Sequence, residues 1–136
     1  MVAARRSHFV GFTLYCTRNR KGNFKVGIRT EKSRLRRSLL SLREQMRWIR
    51  HHTIEEQVGE LNSTLRGHYA YYGVAGNIRS LQRVYRAVER YWVGMLRSRS
   101  WAGHRLTWTD YNQLKEKIPL LQPKLPHRAL QALAVL

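Results

Sequence analysis

Residues 78–97 combine two kinds of side chain at the spacing of an α-helix. Apolar residues recur at steps of three and four, and arginines follow the same period on the opposite face. The apolar set is Leu81, Val84, Val88, Tyr91 and Met95, and the arginine set is Arg79, Arg83, Arg86, Arg90 and Arg97. A helix that is apolar on one face needs other elements to bury that face. The pattern therefore predicts a helix packed into a bundle, with its arginines outward.

Two further helices are predicted upstream. The first has an apolar stripe of Leu35, Leu39, Leu42, Met46 and Ile49, with Arg36, Arg43, Arg47 and Arg50 about 100° round from it. The second is predicted to begin at a capping box, in which Thr53 and Glu56 each bind the other's backbone amide. Its stripe is Ile54, Val58, Leu61, Leu65, Tyr69 and Tyr72. Gly73 is predicted to end it as a glycine stop.

The two ends of the chain add shorter elements. Thr107 and Asp110 indicate a capped fourth helix, which the ring of Pro119 ends. Residues 9–16 and 24–30 are rich in aromatic and β-branched side chains and are separated by a polar turn, so they predict a β-hairpin. The predicted fold class is mainly α: an N-terminal β-hairpin followed by a bundle of three long helices and one short helix.

The net charge of the chain indicates what kind of partner it binds. The chain carries 26 Lys+Arg against 8 Asp+Glu, a formal net charge of +18, and 20 of the basic residues are arginines. A charge this large disfavours the compact state unless a polyanion neutralises it. Guanidinium groups bind phosphates and guanine edges in a bidentate way. The composition therefore favours a nucleic-acid partner, and no apolar run is long enough to predict a membrane span.

The same counts exclude several classes of site. One aspartate, Asp110, cannot supply the paired carboxylates of a two-metal phosphoryl-transfer site or of an EF-hand. The histidines do not fall at zinc-ligand spacing, so no metal, cofactor or catalytic residue is expected. Cys16 is the one cysteine and cannot form an internal disulfide, which favours a reducing compartment. With no secretory signal, the predicted location is cytoplasmic.

The arginine rows of the first and third helices are the main candidate binding residues. Solvated helix faces usually mix Lys, Arg and Glu, whereas Glu89 is the one acid within the third helix. We expect the rows to bind RNA phosphates, and the alternative is an ordinary solvated face. The candidate set is Arg36, Arg43, Arg47, Arg79, Arg83, Arg86 and Arg90.

Aromatic and basic residues cluster where the second helix passes into the third. Arg66, His68 and Tyr71 are candidate contacts to unpaired bases, because aromatic rings beside cations suit base stacking. Asn77 is a further candidate contact, and its alternative role is to cap the third helix. The tyrosines of the apolar stripe are interpreted mainly as packing residues.

A group of motifs resembles a known family. The segment LRGHYAYYGVAGNIRSL at residues 65–81, followed by YRAVERYW and LTW, resembles the thumb region of group II intron-encoded reverse transcriptase/maturases, also called domain X or the maturase-specific domain. Ala70 stands where that family usually has Asn. Gly11 and Phe12 resemble part of the family's primer-grip strand, and PKLPH at 123–127 resembles its ending. The resemblance covers roughly residues 9–127.

The resemblance implies an RNA-binding module that grips structured group II intron RNA or a template–primer duplex, with a role in RNA splicing and in a mobile genetic element. It implies a hairpin remnant of the palm over 1–30, a helical thumb over 31–127 and an irregular tail over 128–136. The family's YADD-type catalytic motif is missing because no Asp precedes residue 110. The chain is therefore expected to be a truncated piece that is not an enzyme on its own.

Two alternatives stay open. A separately encoded palm would make the chain the C-terminal subunit of a split RNA-directed DNA polymerase. Two helices joined by a short turn with glycine also resemble a helix-turn-helix, which would make it a helical double-stranded DNA-binding protein. Against the second alternative, the predicted helices are long, and rows of arginine differ from the mixed polar set that reads bases.

Overall fold

A computed structural model describes residues 6–9, 11–99 and 105–124. It contains an antiparallel sheet followed by three long helices and one short helix, which confirms the predicted fold class. The strands are β1 (Arg6–Phe9), β2 (Phe12–Arg18) and β3 (Phe24–Thr30), and the helices are α1 (Lys32–Trp48), α2 (Ile54–Tyr72), α3 (Ile78–Ser98) and α4 (Trp108–Lys117). The predicted tail over 128–136 and the end of the PKLPH motif lie outside the described residues.

The predicted hairpin is present, with one difference in its first strand. β2 and β3 pair antiparallel over their whole length, with Phe12 opposite Thr30. The predicted strand over 9–16 is divided, because β1 ends at Phe9 and pairs back onto β2. Gly11 lies at the division with a φ of +84°, a conformation that glycine adopts without strain. The described sheet therefore has the order β1-β2-β3.

Two helix starts follow local sequence signals. The Thr53 hydroxyl accepts the backbone N–H of Glu56 at 3.2 Å, and the Glu56 carboxylate accepts the N–H of Thr53, which confirms the capping box of α2. Thr107 and Asp110 form the same arrangement before α4. Gly73 ends α2 as predicted, but its φ of −79° is not the left-handed conformation of a glycine stop, so that detail is wrong.

The apolar stripes of α1, α2 and α3 form one core, and a buried glutamine connects these helices at one end. Gln57 is 0% exposed, and its Nε2 donates to the carbonyl oxygens of Ile49 and Arg50 at 3.1 Å. Its Oε1 accepts the indole N–H of Trp92 in α3 at 3.0 Å. Since buried polar groups are costly when unpaired, Gln57 fixes the end of α1 against α2 and α3.

Asn77 joins the sheet to the helices. Its side chain is 1% exposed, and its Nδ2 donates to Thr30 Oγ1 at 2.9 Å and to the carbonyl oxygen of Tyr72 at 2.8 Å. Ser80 Oγ accepts the N–H of Thr30 at 3.1 Å. The Asn77 side chain makes no capping bond to α3. Asn77 occupies the N-cap position of α3, but its side chain does not cap the helix because long-range hydrogen bonds hold it against the sheet. The RNA contact stays a prediction, for a side chain that these bonds bury.

One carboxylate holds α4 on α3. Tyr111, which is 0% exposed, donates its hydroxyl to Glu89 Oε2 at 2.9 Å, and Lys115 Nζ donates to the same oxygen at 3.1 Å. Burial, and then the hydrogen bond to Glu89, raise the pKa of Tyr111 above its ordinary value. The chain after α4 is tied to α2 by Asn62, whose Oδ1 accepts the N–H of Leu121 at 2.7 Å. These bonds fix α4 beside α3.

Candidate nucleic-acid interface

Helices α1 and α3 pack against each other, and this packing brings two arginine rows onto one surface. We call this surface the basic face; it comprises Arg36, Arg43 and Arg47 of α1, Arg50 of the turn that follows α1, and Arg83, Arg86 and Arg90 of α3. All of these side chains are exposed except that of Arg50, which is half-buried. Periodicity within each helix places the arginines on its own surface, and the packing of the two helices then makes the rows neighbours.

The basic face contains clefts between the helices. One cleft of about 300 Å³ has Arg43 and Arg47 of α1, with Arg50 of the following turn, on one side and Arg90 of α3 on the other. A larger cleft of about 600 Å³ includes all three α3 arginines of the basic face. A third, of about 260 Å³, extends toward Arg36. Concave surfaces lined by cations suit a phosphate backbone, because each neutralised phosphate releases counterions.

Most of the basic face has no acidic partner within the described residues. Arg47 is the exception, and its pair with Glu44 is 3.9 Å long and well exposed, so it contributes little. The guanidinium of Arg43 lies 5.5 Å from the ring centre of Tyr91, a cation–π contact that still leaves N–H donors at its edge. Arg50 differs, since its Nη2 donates to a backbone carbonyl of α3 at 2.6 Å. Apart from Arg50, these arginines are therefore available to an anionic ligand.

The predicted arginine row of α3 extends beyond the basic face at both ends. Arg79, a predicted RNA contact, is exposed in the first turn of α3 but lines none of the three clefts. Arg97 is half-buried, and its Nε donates to the carbonyl oxygen of Leu106 at 2.9 Å. Arg97 therefore has a structural contact of its own, with the segment that leads into α4.

Arg66, His68 and Tyr71 do not join the basic face. Arg66 is exposed on α2, and Tyr71 is 53% exposed. His68 is half-buried in a separate groove of about 480 Å³ between α1 and α2, with its ring 4.7 Å from that of Tyr72. Burial lowers the pKa of His68 below its ordinary value of 6.5, so the neutral ring is favoured. These predicted contacts thus lie on the α2 side of the molecule.

Three residues that were not among the predicted contacts line these grooves. Arg34 and Arg37 line the groove of His68, on the flank of the α1 apolar stripe opposite to Arg36. Their positions on α1 relative to its apolar stripe could have predicted this placement from the sequence. Tyr91 was assigned to the apolar stripe of α3, but it is half-buried and lines all three clefts of the basic face.

Gly11 and Phe12, the predicted primer-grip-like residues, lie where the sheet meets α2. Gly11 is buried, and its carbonyl oxygen accepts the N–H of Glu31 at 2.8 Å. The ring of Phe12 meets the ring of Tyr72 edge to face at 5.5 Å. Both residues therefore have a packing role, and a contact with a primer stays a prediction.

Beyond the basic face, the described part of the chain holds no group of three or more His, Cys, Asp or Glu side chains that could bind a metal ion. Within the same ranges, no helix is both long enough and apolar enough to cross a membrane. No protein-family model, curated protein or solved structure matches the chain. The relation to the maturase family therefore stays a resemblance, carried by the motifs around residues 65–81.

Proposed function

We propose that the chain is an RNA-binding module, similar to the maturase/thumb region of group II intron reverse transcriptases, with no catalytic activity of its own. Its ligand would be structured intron RNA or a template–primer duplex. The observation that carries this proposal is the basic face, where two packed helices present six available arginines around shared clefts. The motif at residues 65–81 independently supports the same family.

The chemistry of the basic face suits an A-form duplex. Such a duplex has a deep, narrow major groove, so proteins recognise it through shape, phosphates and 2′-hydroxyl groups. Guanidinium groups bind phosphate oxygens in a bidentate way and carry no sequence information by doing so. Rigid helices hold their arginines in rows that can follow a phosphate backbone. This mode needs no mixed set of base-reading side chains, which the α3 row does not offer.

The proposal is tested by filter binding of the purified chain to a structured RNA over a series of salt concentrations. If about six phosphates are neutralised, the logarithm of the binding constant should fall with the logarithm of salt concentration at a slope of about −5. Duplex DNA of matched length serves as the competitor. Absence of binding, an affinity that does not depend on salt, or stronger competition by DNA than by unlabelled RNA would each refute the proposal.

A second candidate is the C-terminal subunit of a split RNA-directed DNA polymerase. The sheet favours it, because Phe24 and Val26 of β3 are 72% and 52% exposed on an edge strand. Exposed apolar side chains on a strand edge commonly mark a surface that another chain covers. A separately encoded palm would supply that cover together with the missing aspartates. The test is primer extension by the two chains combined, with each chain alone as the control; an inactive mixture rejects this candidate.

A further inference from the structure

We propose that the largest cleft of the basic face binds an unpaired RNA nucleotide, with its base stacked on Trp108 and its phosphates bound by Arg86 and Arg90. This inference rests on the proposed function, and it names the part of the RNA that the cleft takes. The cleft, of about 600 Å³, contains Trp108 from α4 together with Arg83, Arg86 and Arg90 from α3.

Trp108 is a half-exposed aromatic side chain that lines the cleft. It is 48% exposed, whereas Trp92, which packs in the core beside the same helix, is 0% exposed. Tryptophan is highly buried on average in folded proteins, so a half-exposed indole beside three arginines calls for a reason. A base can stack on such a ring whatever its identity, because every base has a π-face.

The fold holds Trp108 in place. It is the first residue of α4, and the capping box of Thr107 and Asp110 fixes that start. The ring of Trp108 meets the ring of Tyr111 edge to face at 5.5 Å, and the Tyr111 hydroxyl is anchored on Glu89 at 2.9 Å. A ring that is already ordered loses little conformational freedom when a ligand stacks on it. Trp108 is therefore a preorganised stacking surface.

The charges of the cleft select an anion. Arg83, Arg86 and Arg90 have no ion-pair partner among the described residues. The one carboxylate of the cleft, Glu89, is 15% exposed and already accepts hydrogen bonds from Tyr111 and Lys115. The available charges are thus all positive and lie beside an aromatic ring. A flat, partly apolar group that carries phosphates matches both features, and a nucleotide is such a group.

The experiment compares two RNAs with the same duplex stem, one fully paired and one with a short single-stranded overhang. Affinities of the full chain are measured by fluorescence anisotropy at one salt concentration. The wild type should prefer the overhang RNA by about tenfold, the effect expected for one stacked base. Trp108→Ala should lose this preference and keep the affinity and salt slope for the paired stem. Trp108→Phe should keep most of the preference.

Trp48→Ala is the matched control. Trp48 is 77% exposed at the end of α1 and lies outside the clefts of the basic face, so its loss should leave the preference intact. Equal affinity of the wild type for both RNAs, or a preference that survives in Trp108→Ala, would overturn the inference while the binding of the paired stem still supports the proposed function. An acidic peptide that displaces the overhang as well as a free oligonucleotide does would also overturn it.

A second measurement covers the case in which Trp108→Ala does not fold. The wild-type chain is irradiated with overhang RNA that contains 5-iodouridine, and the cross-linked peptide is identified by mass spectrometry. The cross-link should fall on Trp108. Cross-links that occur only outside α3 and α4 would overturn the inference without any variant.

Discussion

Helices α2 and α3 are nearly equal in length, with 19 and 21 residues, and they bury their apolar faces in the same core. Their outer faces nevertheless differ in charge. α2 carries three glutamates and one arginine, a net charge of −2, whereas α3 carries five arginines and one glutamate, a net charge of +4. Solubility alone is served by interspersed charges of both signs. The basic charge is therefore segregated by helix, onto α3 and onto α1 beside it.

The acidic residues of α2 have a local explanation that the arginines of α3 lack. Glu55 and Glu56 lie in the first turn, where the helix dipole favours negative charge, and Glu56 also completes the capping box. Arg83, Arg86 and Arg90 lie along the middle of α3 and make no hydrogen bond to another described side chain. Contacts within the described fold therefore do not account for them, whereas the proposed binding of RNA phosphates would.

The largest effect on stability should come from removing the Gln57 side chain, whose hydrogen bonds join α2 to α3 and to the end of α1. Gln57→Leu removes the partner of the buried Trp92 N–H and of the carbonyls at the end of α1, so we expect the free energy of unfolding to fall by about 3 kcal/mol. Gln82→Leu, at an exposed position of α3, should change it by less than about 0.5 kcal/mol. Urea unfolding measures both, and equal effects would mean that α2 and α3 do not depend on these hydrogen bonds.

Neutralising two arginines of α3 tests whether the charge difference between α2 and α3 governs RNA binding. Removing one phosphate contact at 0.1 M salt lowers affinity about eightfold, so Arg83→Gln with Arg90→Gln should weaken RNA binding about 60-fold and reduce the salt slope by about 2. The matched change on α2, Glu55→Gln with Glu60→Gln, should alter affinity by less than about threefold, because only distant charges change. If the two double variants shift affinity equally, net charge and not the basic face governs binding.

The starts of α2 and α3 should respond differently to a good capping residue. Thr53→Ser keeps a hydroxyl cap and should cost less than about 0.5 kcal/mol. Asn77→Ser also introduces a favoured capping residue, but it removes two buried hydrogen bonds, to Thr30 and to the Tyr72 carbonyl, and should cost about 2 kcal/mol. Thermal unfolding of both variants measures the difference. If Asn77→Ser leaves the stability unchanged, then a cap at the start of α3, and not the hydrogen bond to Thr30, sets the stability of this region.

The smallest effect concerns pH. The pKa of His68 is lowered in the folded chain, so the unfolded chain binds the proton first as pH falls below 6.5. The contribution of His68 to stability is therefore complete above pH 6.5 and is lost as pH falls toward the lowered pKa. His68→Phe should lose less stability than the wild type on acidification, with equal behaviour of the two above about pH 7. Parallel stability curves down to about pH 5 would contradict this sign.

Features encoded within a few residues could be predicted from the sequence. The capping boxes at Thr53 and Thr107 need only two residues three positions apart, and the stripe of α3 repeats over several turns. The division of the first strand at Gly11 was not predicted, because the run of aromatic residues continues through it. The pattern of side chains therefore gave the elements and the exposed arginines, but not every boundary.

Contacts between distant residues could not be predicted in this way. Asn77 has the sequence context of a helix cap, and only the approach of Thr30, 47 positions away, explains why it is buried. The basic face likewise depends on which helix packs beside α3, and periodicity within one helix does not contain that information. For the same reason, the sequence could not predict that Trp108 lies beside the α3 arginines, because this depends on how α4 packs.

Whether RNA contacts the arginines of α1 and α3 can be read directly by mapping the contact surface with NMR. Backbone amide shifts of the labelled chain are followed while a structured RNA is added. We expect the perturbed amides to lie along the outer faces of α1 and α3, including Arg43, Arg86 and Arg90, while the amides of Glu55 and Glu60 in α2 stay unchanged. Perturbations centred on α2, or spread evenly over the described helices, would contradict this expectation.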